Sequence, residues 1–250
     1  MNNIKIETDL NIGLIKLILD KKPVNSLDID FLSDLYKVIQ KIEKNKTVHT
    51  VAILSGSKNI FSSGLDLRKI YLSRHVKYSI IKSVYLIYLI SRAITKSEKI
   101  YIAGLNGSVI GSAVTLALSC DFRIAAYNTW FWLPDPQYGG LAADGCIDLI
   151  KSMCGISAAK EILMSNKRLD SGYLKSKGLV TSLHSDIEYI SEIKKFCSEI
   201  SGFSSKTLKY TKRIINKTSL KTFRLLELIK TVNSQEMLDR LDLYIRKPKI

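Results

Sequence analysis

The chain has 250 residues, 46% of them hydrophobic, and its 38 basic against 23 acidic residues give a formal charge of +15. That length and apolar content suit a sizeable α/β domain with its own core, and they exclude a disordered chain or one that needs disulfide or metal staples. No apolar run reaches the roughly 18–20 residues of a membrane span. The longest, Ile80–Ile94, is interrupted by Lys82, Ser83, Ser91 and Arg92. The polar N-terminus, with Glu7 and Asp9, reads as neither a signal peptide nor an Arg-rich transit peptide. Cys120, Cys146, Cys154 and Cys197 have no C-x-x-C spacing and no nearby His pair. Buried thiols in a reducing, cytoplasmic compartment are expected, without a metal site. The charge is not a tail: residues 126–205 hold 8 basic and 9 acidic residues, whereas 206–250 hold 12 and 4. Such a surplus predicts an anionic partner.

In chain order, Ile12–Leu19 reads as a strand ending in the turn-like Asp20–Pro23. Asn25 or Ser26 is expected to cap a helix whose apolar stripe is Phe31, Leu32, Leu35, Val38, Ile39 and Ile42, with Lys37, Lys41 and Lys44 on the opposite face. Val48–Leu54 is a buried strand, Ser55–Ser63 a loop, His75–Lys96 a long helix, Ile100–Leu105 a strand, Gly111–Ser119 a helix and Phe122–Ala126 a strand. Helices follow near Cys146–Met153 and Ala158–Ser165, then a short strand at Leu179–Ser182 and helices over most of Asp186–Leu243. Strand–helix alternation that gives way to helices implies an α/β core with a helical C-terminal extension. No internal repeat is visible.

Two loop-to-helix junctions carry the chemistry. Phe61-Ser62-Ser63-Gly64-Leu65-Asp66-Leu67 follows a buried strand, and Asn106-Gly107-Ser108-Val109-Ile110-Gly111-Ser112 leads from a strand into a helix. Glycine allows close backbone approach, and the first N–H groups of a helix lack partners. Two of them converging would stabilise an oxyanion. In Phe131-Trp132-Leu133-Pro134-Asp135 a lone carboxylate stands among apolar neighbours, a setting that raises its pKa toward that of a general acid/base.

With Pro23-Val24-Asn25-Ser26-Leu27, Ala103–Gly107, Cys120–Ala125, Leu133–Asp135 and Lys177–Val180 added, the chain resembles the crotonase superfamily of enoyl-CoA hydratases and isomerases over about residues 12–185. The resemblance implies the α/β ClpP/crotonase fold, a spiral of ββα turns. It places a core at 1–200 and a helical oligomerisation segment at 201–250, with a homotrimer or homohexamer as the assembly. It implies an acyl-CoA substrate, coenzyme A being part of the substrate and no cofactor being needed, and an enolate held by the backbone N–H groups of Leu65 and Ser112. Ser63, Gly64, Asp66 and Gly111 would shape that hole, with Asp66 as a structural cap, and Thr115 and Trp132 would line the site. Lys21, Lys22, Arg68 and Lys69 flank the loops expected near the coenzyme A phosphates. Lys206, Lys209, Lys212, Arg213 and Lys217 either reach a neighbour's coenzyme A or face solvent.

The acid/base positions depart from the hydratase pattern. Hydratases of this family use two glutamates around one water, and here those positions hold Thr115 and Asp135. One carboxylate suffices to move a double bond by taking a proton from C2 and returning it at C4, as the resemblance to 3,2-enoyl-CoA isomerases implies. Asp reaches about 1.5 Å less far than Glu. Gly140-Leu141-Ala142-Ala143-Asp144-Gly145 resembles the dienoyl-CoA isomerase branch, so Asp144 is either a second catalytic carboxylate or the N-cap of the next helix. Beside isomerisation stand a hydratase, an enzyme of acyl-carrier-protein substrates or decarboxylation, and, from the charge and the lysine row, a nucleic-acid-binding scaffold. The last lacks aromatic interleaving, which makes nucleic acid the weaker partner.

Overall fold

The computed structural model describes residues 3–216 and 225–246; Lys217 and the rest of 217–224 lie outside the described residues. The strands are β1 (Ile4–Asp9), β2 (Leu14–Leu19), β3 (Thr50–Ser55), β4 (Ile60–Ser62), β5 (Ile100–Leu105), β6 (Ser108–Ile110), β7 (Phe122–Ala126), β8 (Trp130–Trp132), β9 (Arg168–Asp170) and β10 (Ser182–His184). The helices are α1 (Ile29–Lys44), α2 (Leu67–Tyr71), α3 (Val76–Lys96), α4 (Ser112–Ser119), α5 (Cys146–Met164), α6 (Ser171–Ser176), α7 (Tyr189–Ser201), α8 (Ser205–Ile215), α9 (Leu225–Val232) and α10 (Gln235–Arg246), with a 3-10 turn at Asp135–Tyr138.

Three ββα units, β3-β4-α2/α3, β5-β6-α4 and β7-β8-α5, follow one another. The first strand of each unit enters a six-stranded sheet, order β1-β2-β3-β5-β7-β10; the second enters a four-stranded sheet, order β4-β6-β8-β9. The repeat is thus structural although the sequence has none: the units share a burial pattern, not residues. β3 and β5 are aliphatic because both faces of the large sheet are covered. Phe31, Leu35, Ile39, Ile87 and Ile94 from α1 and α3 pack on one face. Tyr189, Ile193, Cys197 and Ile200 of α7 pack on the other.

The small sheet positions the functional loops. Its register pairs Ser62 with Val109 and Ile110 with Trp132 in parallel. The carboxyl ends of β4, β6 and β8 therefore lie side by side, and ligands collect at such strand ends. The segments that leave them carry Ser63–Asp66, Gly111–Ser112 and Asp135.

Several expectations change. The cap of α1 is Asp28, whose side chain accepts from the Phe31 N–H at 2.8 Å, not Asn25 or Ser26. β1, polar and five-sixths exposed, is a strand only because β2 offers an antiparallel edge. Part of the Ser55–Ser63 loop is β4. The two helices expected at 146–165 run together as α5, bent at Gly155 with φ +78°. The late strand starts at Ser182, where it pairs with Ile124 of β7. α7, which covers the sheet, ends at Ser201, where the expected core gives way to the C-terminal segment. α9 and α10 pack on this chain's own α2 and α3 through Leu228, Val232 and Met237 beside Ile70, Ile80 and Val84. No helix among the described residues is long and apolar enough to cross a membrane.

Candidate active site

The Pro23–Leu27 segment builds the first half of the site. Asn25, buried at φ +50°, accepts from the Lys21 N–H and donates to Ser55 Oγ and the Phe61 carbonyl. Ser62 Oγ donates to the Asn25 carbonyl at 2.7 Å, and Leu27 bridges to Leu65. These bonds use up the donors of the Ser63–Asp66 loop one by one. The Ser63 N–H goes to the Val24 carbonyl, that of Gly64 to Ser62 Oγ and that of Asp66 to the Leu27 carbonyl. The Leu65 N–H is left with no acceptor among the described residues. Backbone donors rarely go unpaired, so one remaining at a loop end marks a ligand position. The sequence offers Asn25 as a helix cap; its role here rests on contacts with Ser55 and Phe61, 30 and 36 residues further on, which no local pattern signals.

Gly64, at φ +74°, lies against the second loop: a Cβ there would stand 2.3 Å from the Ile110 carbonyl oxygen and 3.4 Å from the Ser112 nitrogen. The two loops touch through backbone, and only glycine permits the approach. In the second loop the Gly111 N–H is taken by the Trp132 carbonyl at 2.8 Å. The Ser112 N–H, first in α4, has no acceptor among the described residues. Two unpaired N–H groups therefore flank one close backbone contact.

Asp66 is the structural cap expected of it: it accepts from the Lys69 N–H at 2.9 Å and from Ser26 Oγ at 3.1 Å. Asp135 opens the 3-10 turn after β8 and lines an apolar cleft of about 570 Å³ with Leu141, Ala142, Ile147, Ala159 and Leu163. Burial, reinforced by the negative charge of Asp144, pushes its carboxyl up to about 7. Asp144 is buried and bound at both oxygens, one by Thr115 Oγ1 at 2.8 Å, the other by the Cys146 N–H at 3.2 Å. The N-cap of α5 is Gly145, not Asp144, which from one residue earlier binds the first N–H of α5 and contacts α4 at once. Burial raises its pKa, and the Ser112 and Thr115 hydroxyls oppose that rise.

The remaining candidates are placed differently. Trp132 anchors Gly111 through its carbonyl, while its indole donates to Asn166 Oδ1 at 2.9 Å and stacks on Arg168. Lys21 is engaged by Asp28 Oδ2 at 2.7 Å and the Ser26 carbonyl. Lys22 binds the Gly56 carbonyl and Asp20, and Lys69 binds Asp28 and Asp30. Arg68 is exposed and has no side-chain partner among the described residues. Lys212 is buried in the core, not solvated or projecting outward. The α10 helix packs on α2 and the 3-10 turn, the elements that follow two of the site's loops. Tyr244 packs on Tyr138 at 4.6 Å between ring centroids, and Tyr71 Oη donates to Asp242.

This fold and this arrangement of loops belong to a known class. The chain is a member of the enoyl-CoA hydratase/isomerase family, whose model matches residues 7–237. Its fold is the crotonase fold: an enoyl-CoA hydratase structure from Bacillus halodurans superposes with a TM-score of 0.88 at 19% identity, covering 96% of this chain and 99% of that one. Among relatives, the short-chain-enoyl-CoA hydratase of Clostridium acetobutylicum is 24% identical over 220 residues, 87% of this chain and 82% of that protein. The human mitochondrial enoyl-CoA delta isomerase 1 is 29% identical over 161 residues, 63% of this chain and 52% of that protein.

Proposed function

We propose that the protein shifts the double bond of a 3-enoyl-CoA to the 2-position, with Asp135 as the single acid/base. The observation that carries the reading is the pair of leftover donors, the Leu65 and Ser112 N–H groups, on either side of the Gly64–Ile110 contact. The thioester oxygen would sit between them, where each preorganised donor contributes about 3 kcal/mol to an enolate-like transition state. The Asp135 carboxylate takes a proton from C2. The C–H electron pair moves into the C1–C2 bond, and the carbonyl π pair moves onto the oxygen. When the oxyanion collapses, the C2–C3 double bond forms and the C3–C4 pair takes the proton back from Asp135 at C4. A group near pKa 7 suits both halves of this exchange. The apolar cleft beside Asp135 supports an acyl chain. Of the four cations near the loops, Arg68 is the one left for a coenzyme A phosphate.

Isomerisation is favoured over hydration because Thr115 stands at the first glutamate position of hydratases and its hydroxyl is committed to Asp144. A dienoyl-CoA isomerisation through both carboxylates is the second reading, supported by the charge coupling of Asp144 to Asp135. The test follows conjugated-thioester absorbance with 3-enoyl-, 2-enoyl- and dienoyl-CoA in turn. The expected result is new conjugation from the 3-enoyl substrate that disappears in Asp135→Asn. Rapid loss of the 2-enoyl band through water addition would overturn the reading, and turnover of the dienoyl substrate alone would install the second.

A further inference from the structure

Asp144 is more tightly held than a group that must accept and release protons. It is 2% exposed, with Thr115 Oγ1 on one oxygen and the Cys146 N–H on the other. Ser112 and Thr115 are three apart on α4 and so share a face, and both hydroxyls favour the charged carboxylate. The carboxylate thus joins the first turn of α4 to the first residue of α5, and the first turn of α4 begins at the Ser112 N–H. The Cys146 N–H can only donate and the Thr115 hydroxyl is placed to donate, and these bonds favour the anion against the burial that raises its pKa. Asp135 has no such donors from side chains among the described residues and opens onto the cleft.

We propose that Asp144 is a positioning residue: a fixed anion that holds the Ser112 turn in place and leaves Asp135 as the member of the carboxylate pair that takes up and gives back the proton. This rests on the oxyanion-hole reading for its Ser112 half only; the proton half concerns the two carboxylates whatever the substrate. The other ionisable groups facing the pair leave that assignment intact. The Cys146 thiol is buried and pushed well above its usual value. Tyr138, beside Tyr244, is raised as well. Lys151 and Lys160 also line the Asp135 cleft, and Arg240 passes Gly139; none of the three is hydrogen-bonded or ion-paired to either carboxylate among the described residues.

Two measurements test it, one of them independent of substrate. Carbon-13 carboxyl resonances are followed across pH in the wild type, Asp135→Asn and Asp144→Asn. Asp144 is expected to be a carboxylate at pH 7 in Asp135→Asn, and Asp135 to titrate about one pH unit lower in Asp144→Asn than in the wild type. A protonated Asp144 at pH 7, or an unmoved Asp135, would overturn the proposal even if the protein turned over no enoyl-CoA. Kinetics supply the second arm. Thr115→Val, which removes one bond to Asp144, is expected to lower kcat about tenfold with KM little changed, and Thr115→Ser to restore it. Thr115→Val at wild-type kcat would reduce Asp144 to an anchor for the start of α5. An Asp144→Asn variant as dead as Asp135→Asn, with its Asp135 titration unshifted, would make it a second catalytic base.

Discussion

The Lys212 ammonium lies 2.7 Å from Asp121 Oδ2 with its side chain 4% exposed. It also donates to the Ile94 and Lys99 carbonyls. This cation fastens α8 to the α3–β5 junction, and Asp121 in turn accepts from the Tyr101 N–H at 2.8 Å. Burial raises the Asp121 pKa and Lys212 opposes the rise. Removing one partner strands a buried charge, so Lys212→Ala is expected to cost about 3–5 kcal/mol. Urea unfolding would show a lower midpoint, and the double change with Asp121→Asn should cost less than the two single losses added together.

Gly64→Ala places a methyl group 2.3 Å from the Ile110 oxygen at φ +74°. The two loops must separate, and the backbone strain alone is about 1 kcal/mol. On the proposed function the displaced donors are the two that would hold the thioester oxygen, so kcat is expected to fall about 100-fold while the melting temperature drops by only a few degrees. Steady-state kinetics beside calorimetry check the ratio.

Asp135 sets a stability cost that depends on pH. Its folded pKa of about 7 lies above the unfolded value of 3.8. Between those values the unfolded chain releases a proton that the folded chain keeps. Folding stability therefore falls as pH rises through this window, by about 1–2 kcal/mol for a partly buried group that opens onto a cleft. Asp135→Asn removes that loss. Denaturation curves should show the variant more stable than the wild type at pH 8 and indistinguishable from it at pH 4.

Asp28 has the opposite sign. Although burial works against it, hydrogen bonds from Lys21, Lys69 and the Phe31 N–H hold its pKa down at about 2. The stabilisation is complete above the unfolded value near 3.8 and disappears as pH falls through about 2. At pH 7 Asp28→Asn is expected to cost about 1–2 kcal/mol, most of it from the lost charge since Asn still caps α1. Titrating stability from pH 6 to pH 2 should bring the two proteins together at the acid end.

The amino-acid sequence by itself determined the local elements and the motifs. The stripe from Phe31 to Ile42, the strands Ile100–Leu105 and Phe122–Ala126, and the segments FSSGLDL and Gly111-Ser112 are readable because periodicity and glycine placement are properties of neighbours along the chain. They carried the family as well. The tertiary structure alone decided which donors are left over. The Leu65 N–H is unpaired only because Val24, Asn25 and Leu27, about forty residues earlier, satisfy the atoms around it. It also decided that Asp144 binds both the Cys146 N–H and Thr115, and that a lysine from the basic C-terminal stretch is buried. Strands such as β1, β6 and β9 were not legible for the same reason: a short or polar strand exists through the edge it pairs with, and that edge comes from a distant part of the chain.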